Sequence, residues 1–243
     1  MRQLRKILFP FSAVYYVITL LRNFLYARGI LSSKKYDFPL ICVGNLSTGG
    51  TGKTPMTEYI LRLLKDRQTV ATLSRGYGRN TKGYITVTPE LNAGQVGDEP
   101  LQFARKFPNV FVAVCEDRQE GIAQLKTRFP SIKTIILDDA FQHRKVVPSY
   151  SIVLTSYNDL YSDDFVLPAG NLREPRYGAN RADCIVITKC PSNLSKEERS
   201  RIEVQLRLKE GQSVYFSYIR YNEVAISKED EVSLEVLSSQ HVE

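Results

Sequence analysis

Between Lys6 and Arg22 the chain carries no charge, and Ile7, Phe11, Val14, Ile18, Leu21 and Leu25 recur at steps of four and three. That spacing predicts an amphipathic helix with Ser12, Tyr16, Thr19 and Asn23 on the side away from the apolar stripe. As a helix the uncharged run spans about 22 Å against roughly 30 Å for a bilayer core, and Pro10 lies near its start, so a transmembrane span is not predicted. A signal peptide is set aside because no small-residue cleavage site follows the run. Pattern alone leaves two fates for the stripe: packing on the domain that follows, or lying in a membrane surface.

From Phe38 onward the period changes. Apolar runs of strand length at 39–43, 69–73, 110–114, 132–137, 151–154, 184–188 and 214–217 alternate with helices starting near Lys53, Asp98, Asp117 and Ser195. Continuous apolar strands in βαβα order predict an α/β fold, a mostly parallel sheet with helices on both faces in three layers. A short strand at 84–88, bounded by polar glycine-containing stretches, reads as part of an insertion. The pattern divides the chain into an N-terminal segment (1–36), a main domain (37–210) and the start of a smaller C-terminal lobe (211–243).

Composition changes this picture in one respect. With 243 residues, 43% apolar and 24% charged, the chain is ordinary for a folded protein. Its net charge of +7, however, is not spread out. Arg2, Arg5, Lys6, Arg22, Arg28, Lys34 and Lys35 meet no acidic residue before Asp37, so the rest of the chain is balanced. A nucleic-acid binder with a distributed basic face is disfavoured, and the apolar stripe tips toward an anionic membrane surface, where each basic residue contributes about 1 kcal/mol. Cys42, Cys115, Cys184 and Cys190 fall in or beside strands without a Cys-x-x-Cys pair, and read as reduced core residues of a cytoplasmic protein.

The densest chemistry lies in ICVGNLSTGGTGKTP. A strand runs into Asn45, Ser47, Thr48, Gly49, Gly50, Thr51 and Gly52, and Lys53-Thr54 open a helix. Small residues let backbone N–H groups curl around phosphate at a helix N-terminus, Lys53 reaches the β/γ-phosphates, and the Thr54 hydroxyl suits Mg²⁺. Ser47 stands where the general phosphate-loop pattern has glycine. Downstream, a buried strand ends in Asp138-Asp139, carboxylates placed for a Walker-B role at the same sheet edge. Asp98, in Gly97-Asp98-Glu99-Pro100, is either a helix cap or a base for an attacking hydroxyl. Arg173, in Asn171-Leu172-Arg173-Glu174-Pro175-Arg176, can clamp phosphate charge or lie in a solvated loop, and Arg118 carries the same ambiguity. Thr188-Lys189-Cys190-Pro191 is similar to a GTPase base-reading loop without its guanine-recognising Asp, which favours ATP.

Taken in order, VGNLSTGGTGKTP, LSRGYGR, GDEP, EDR, LDDAFQHR and NLREP resemble the tetraacyldisaccharide 4′-kinase family of lipid A biosynthesis. The resemblance covers residues 1 to about 220, Ser47 included. It implies a P-loop kinase that uses ATP and Mg²⁺ to phosphorylate the 4′-hydroxyl of a tetraacyldisaccharide 1-phosphate at the cytoplasmic face of the bacterial inner membrane, as a peripheral or monotopic protein. It further implies nucleotide and Mg²⁺ contacts for Lys53 and Thr54, a Walker-B pair in Asp138 and Asp139, a base in Asp98, and site positions for Glu99, His143, Arg118 and Arg173. Family members continue with a Gly-Ile-Ala-Asn-Pro-like segment and an Asp-His-His-type motif. Neither is found here, so a truncated or abbreviated C-terminal lobe is expected. The alternatives are a membrane-associated P-loop ATPase or regulator, and a nucleotide-binding fragment without full activity.

Overall fold

The computed structural model describes residues 5–220, 224–226 and 231–233; Arg2 and most of the expected C-terminal lobe lie outside them. The elements in chain order are α1 (Phe9–Ala27), β1 (Leu40–Asn45), α2 (Lys53–Leu64), β2 (Val70–Ser74), β3 (Ile85–Val87), α3 (Ala93–Val96), α4 (Asp98–Lys106), β4 (Phe111–Val114), α5 (Arg118–Arg128), β5 (Thr134–Asp138), β6 (Tyr150–Ser156), β7 (Cys184–Thr188), α6 (Lys196–Leu206), β8 (Ser213–Phe216), and a hairpin of β9 (Val224–Ile226) and β10 (Glu231–Ser233).

Eight strands form one sheet in the order β3-β4-β2-β5-β1-β6-β7-β8. Every neighbouring pair is parallel except β3 with β4. The buried strands alternate strictly between two cores, because successive side chains of a strand face opposite sides. In β5, Ile135 and Leu137 join Ile122 and Leu125 of α5 and Ile202 and Leu206 of α6 on one face. Ile136 joins Ile60 and Leu61 of α2 and Leu101 and Phe103 of α4 on the other. The three-layer α/β arrangement expected from the pattern is therefore present. The strand at 84–88 differs from its expected place in an insertion: it is the antiparallel edge of the main sheet. β8 completes the opposite edge. All four cysteines are free and buried.

α1 packs in the reverse of the usual sense. Its buried residues are Ser12, Thr19 and Asn23, while Phe11, Val14, Ile18 and Leu21 are 66%, 60%, 59% and 55% exposed. The polar side is tied to the body: Ser12 Oγ accepts from the Ala169 amide at 2.8 Å, the Tyr15 hydroxyl donates to the Arg173 carbonyl at 2.7 Å, and Asn23 Nδ2 donates to Glu174 at 3.0 Å. Glu174 is buried and receives two parallel bonds from Arg181, both at 2.9 Å, which fixes the anchor. A core helix buries its apolar stripe; this one buries its polar stripe and presents the apolar one to solvent. No helix among the described residues is long and apolar enough to cross a membrane.

Candidate functional site

All parallel strands finish at one edge of the sheet, and the conspicuous chemistry gathers there, as it does at the carboxyl edge of open α/β sheets. β1 runs into the loop 46–52, and Gly52, at φ 85°, caps α2 in a left-handed conformation that glycine adopts without strain. Gly44 is required for a different reason: a Cβ there would stand 2.6 Å from Phe141 Cβ, so it lets the loop after β5 press against β1. Asn45, fully buried, organises the loop from below. Its amide donates to Thr51 Oγ1 at 2.9 Å and to the Gly49 carbonyl at 3.4 Å, and its oxygen accepts from Lys53 Nζ at 3.4 Å.

The arginine-rich segment is strapped onto this loop. Ser47 bridges Leu172, the Thr48 amide donates to the Asn171 carbonyl at 2.7 Å, and the Arg173 amide donates to the Leu46 carbonyl at 2.7 Å. The strap aims Arg173 across the loop, where Nη1 donates to both oxygens of Asp139 at 2.9 and 3.0 Å. Lys53 Nζ lies 3.6 Å from the same carboxylate. Asp139 takes an uncommon left-handed backbone (φ 47°) to reach both cations. On the other side, Thr54 Oγ1 donates to Glu99 at 2.9 Å.

Asp138 behaves differently from its neighbour. It is 1% exposed and accepts a 3.0 Å bond from Thr57. Burial, with Glu99 adding repulsion, pushes its pKa up to about 7 against the pull of the Thr57 bond. A carboxylate held this way favours a nearby positive charge.

These groups open on a cavity of about 600 Å³. Glu99, Asp138, Asp139 and Arg173 form one side; Arg118, Gln142 and His143 form another; Tyr15, Thr19 and Arg22 of α1 close it. Arg118 is buried, donating to the Cys115 carbonyl at 2.8 Å, with Nε unpaired. His143 is half-buried with Nε2 unpaired, and burial next to Arg118 lowers its pKa to about 4, so it is neutral at pH 7. Asp98 is the expected site residue that the structure does not bring in. Gly97 is the cap of α4, and Asp98 faces a separate shallow surface with Leu101, Gln102 and Arg105. Its neighbour Glu99 is the carboxylate of that turn that meets the cavity, because one helical residue rotates the side chain by about 100°.

A family model described as tetraacyldisaccharide-1-P 4′-kinase matches residues 4–238. The chain belongs to this family. Among curated relatives named tetraacyldisaccharide 4′-kinase, that of Flavobacterium johnsoniae is 51% identical over 240 residues, covering 99% of this chain and 71% of the relative. That of Flavobacterium psychrophilum is 50% identical, covering 92% and 66%, and that of Bacteroides thetaiotaomicron is 49% identical, covering 90% and 58%. The chain thus spans between 58% and 71% of the length of these relatives. The solved structure of LpxK from Aquifex aeolicus in complex with ATP superposes with a TM-score of 0.80 at 36% identity, covering 98% of this chain and 72% of that one.

Several cavity residues of this kinase-family chain escape a motif reading. Arg75 and Tyr77 come from the loop after β2, and Tyr77 is 90% exposed. Gln142 donates to the Asn45 carbonyl at 2.7 Å and so links the phosphate loop to the cavity. The runs SRGYGR and FQHR signal that these segments are unusual, but not which side chain turns inward. Arg22 and Tyr15 carried no such signal, since their place depends on which side of α1 docks.

Proposed function

We propose that the chain transfers the γ-phosphoryl group of ATP to the 4′-hydroxyl of a tetraacyldisaccharide 1-phosphate, with Mg²⁺, while resting on the cytoplasmic face of a bacterial inner membrane without crossing it. One observation carries the reading. The Lys53–Asp139–Arg173 cluster beside the phosphate loop opens into a cavity closed by the docked side of a helix whose other side is apolar and exposed. A lipid acceptor held in a membrane surface would meet a donor phosphate at that point.

The residues fit the nucleotide and the metal. Loop residues 48–50 are exposed at the N-terminus of α2, where amide dipoles favour phosphate. Thr54 and Glu99, with Asp138 and Asp139, would hold Mg²⁺, which when bound offsets charge on the phosphates. Among the described residues Glu99, Asp138 and Asp139 do not by themselves form a metal cage, so the proposed ion needs the phosphates as further ligands.

In the proposed reaction the sugar hydroxyl attacks the γ-phosphorus in line, its proton passes to a carboxylate, and ADP leaves. Lys53 neutralises the phosphate chain, and Arg173 swings from Asp139 onto the transferred group. Asp98 remains the base candidate named from sequence and would have to turn inward; Glu99 needs no such movement. Neutral His143 and buried Arg118 are proposed to hold the sugar and its anionic group. The exposed stripe of α1, with exposed Arg28 beside it, supports docking on an anionic membrane surface, whereas Arg5 is tied to Pro168, Gly170 and Asn171 and Arg22 donates to the Gln142 carbonyl at the cavity. Lys53→Ala tests the mechanism: transfer from ATP to the disaccharide lipid should disappear, and a variant as active as the parent chain overturns it.

A further inference from the structure

The loop from Arg75 to Gly83 brings Arg75 and Tyr77 to the acceptor cavity but contains no strand or helix. Its shape is set from two directions. On one side it lies along residues 94–97: the Asn80 amide donates to the Gly94 carbonyl at 2.7 Å, and Thr81 Oγ1 donates to the Gln95 carbonyl at 2.5 Å. Beside these bonds Gly76 and Gly97 meet so closely that a Cβ on Gly76 would stand 2.8 Å from the Val96 carbonyl oxygen, and one on Gly97 2.9 Å from that of Tyr77. Asp98 and Glu99 follow at once, so the acceptor-facing loop and the carboxylate turn form one unit. The Glu99 bond to Thr54 anchors that unit to α2.

Arg79 supplies the second anchor. Its side chain is 3% exposed, and Nη2 donates to Glu116 Oε1 and to the Gly83 carbonyl, both at 2.7 Å, while Glu116 Oε2 accepts from the Gly83 amide at 3.0 Å. Glu116 stands after β4 at the cavity wall and leads into Arg118. Arg79 Nε and Nη1 are buried without a partner. A buried ion pair with donors left unpaired adds little to stability, and a well-packed apolar side chain would fill the place at less cost. Stability therefore does not account for an arginine here. What the pair fixes is a distance, because Arg75 and Tyr77 reach the cavity from one segment and Arg118 from another.

We infer that Arg79, acting through Glu116, is a positioning residue for the lipid acceptor: it holds the loop that carries Arg75 and Tyr77 at the spacing from Arg118 that the sugar headgroup requires. The inference rests on the kinase reading above and adds which buried group sets the acceptor side of the cavity. Arg79 touches neither substrate. The phosphate loop is shaped by Asn45 and the strap at 171–173, and Glu99 keeps its own bond to Thr54, so ATP binding does not depend on Arg79.

Steady-state transfer by the full chain tests it, with tetraacyldisaccharide 1-phosphate in mixed micelles and ATP varied in turn. Arg79→Met should raise the KM for the lipid about tenfold and leave that for ATP within about twofold. Arg79→Lys keeps the buried charge but not both short bonds, so it should fold as the parent does and raise the lipid KM about threefold. Glu116→Gln, at a side chain 39% exposed, should also raise the lipid KM about threefold, and should add nothing in the Arg79→Met background because the two act as one unit. Equal rises for lipid and ATP, or no rise for lipid in either arginine variant, would make the pair a general strut and overturn the inference. So would losses that multiply in the double variant, which would make Glu116 an independent acceptor contact. A parent chain that binds ATP and transfers nothing to the lipid overturns the kinase reading and this inference with it; unchanged KM values in variants of an active parent overturn the inference alone.

Discussion

Asp138→Asn should make the protein more stable and less active, and the size of the effect follows from burial. The carboxyl is 1% exposed, and its pKa rises from 3.8 to about 7. The folded state therefore binds more protons than the unfolded state between those values, so this group removes stability as pH rises through the window and leaves it whole below. Three units at about 1.4 kcal/mol each set a ceiling on the order of 4 kcal/mol above pH 7. Asparagine keeps the acceptor for Thr57 but adds a buried amide N–H₂ in need of a partner, so a net gain of about 2 kcal/mol is expected. For a chain of this size that is a rise in Tm of about 4–8 °C. His143, lowered to about 4, works in the opposite direction between there and 6.5, so the parent chain alone gives a blurred profile. The difference between variant and parent isolates Asp138. Thermal melts from pH 5 to 8 should show the gap widening up to about pH 7 and then levelling. Mg²⁺-ATP should stabilise the parent chain more than the variant, since the parent offers the ion one carboxylate more. A variant less stable than the parent at pH 8, or a gap independent of pH, refutes the reasoning.

Other outcomes follow from the same geometry. Glu174→Ala leaves the partly buried Arg181 without its two bonds and releases Asn23 of α1, so chemical denaturation should show a loss of about 2–3 kcal/mol, against about 1 for Asn23→Ala. Replacing Phe11, Val14 and Ile18 together by Asp should leave the melt within about 2 kcal/mol of the parent, because the three are exposed, yet weaken sedimentation with anionic vesicles at least tenfold; unchanged vesicle binding would remove the membrane role. Asp98→Asn should lower turnover at least about 100-fold with ATP affinity intact if Asp98 is the base. Glu99→Gln should lower both, because it keeps an acceptor for Thr54 but removes a carboxylate charge proposed to hold Mg²⁺; full activity in Asp98→Asn assigns the proton elsewhere.

Sequence periodicity located the sheet well, because the buried strands here are short and mostly apolar, with polar residues such as Asn45, Ser74 and Asp138 at their ends. It misplaced strand 84–88, since pairing partners are not encoded locally and β3 joins an edge formed by β4. The phosphate loop was legible for the opposite reason: Lys53, Thr54 and their glycines act through backbone geometry that tolerates few residues. Asp98 and Glu99 show where this ends. Adjacent carboxylates at a helix start are equivalent in sequence, and only the angle at which α4 leaves Gly97 decides which one meets the cavity. Likewise the stripe on α1 was visible, but the side that docks depends on Ser12, Tyr15 and Asn23 finding partners 150 or more residues away. In the sequence, net charge is what points the segment toward an anionic surface; the stripe alone leaves both fates open.

In the proposed reaction one cavity joins nucleotide phosphate to a lipid hydroxyl. The most direct measurement follows γ-labelled phosphate from ATP after incubation of the full chain with Mg²⁺ and a tetraacyldisaccharide 1-phosphate in mixed micelles. Label is expected on the 4′-position of the lipid, with little free phosphate when lipid is absent. Label released as free phosphate at the same rate with and without lipid, and none on the sugar, would contradict it.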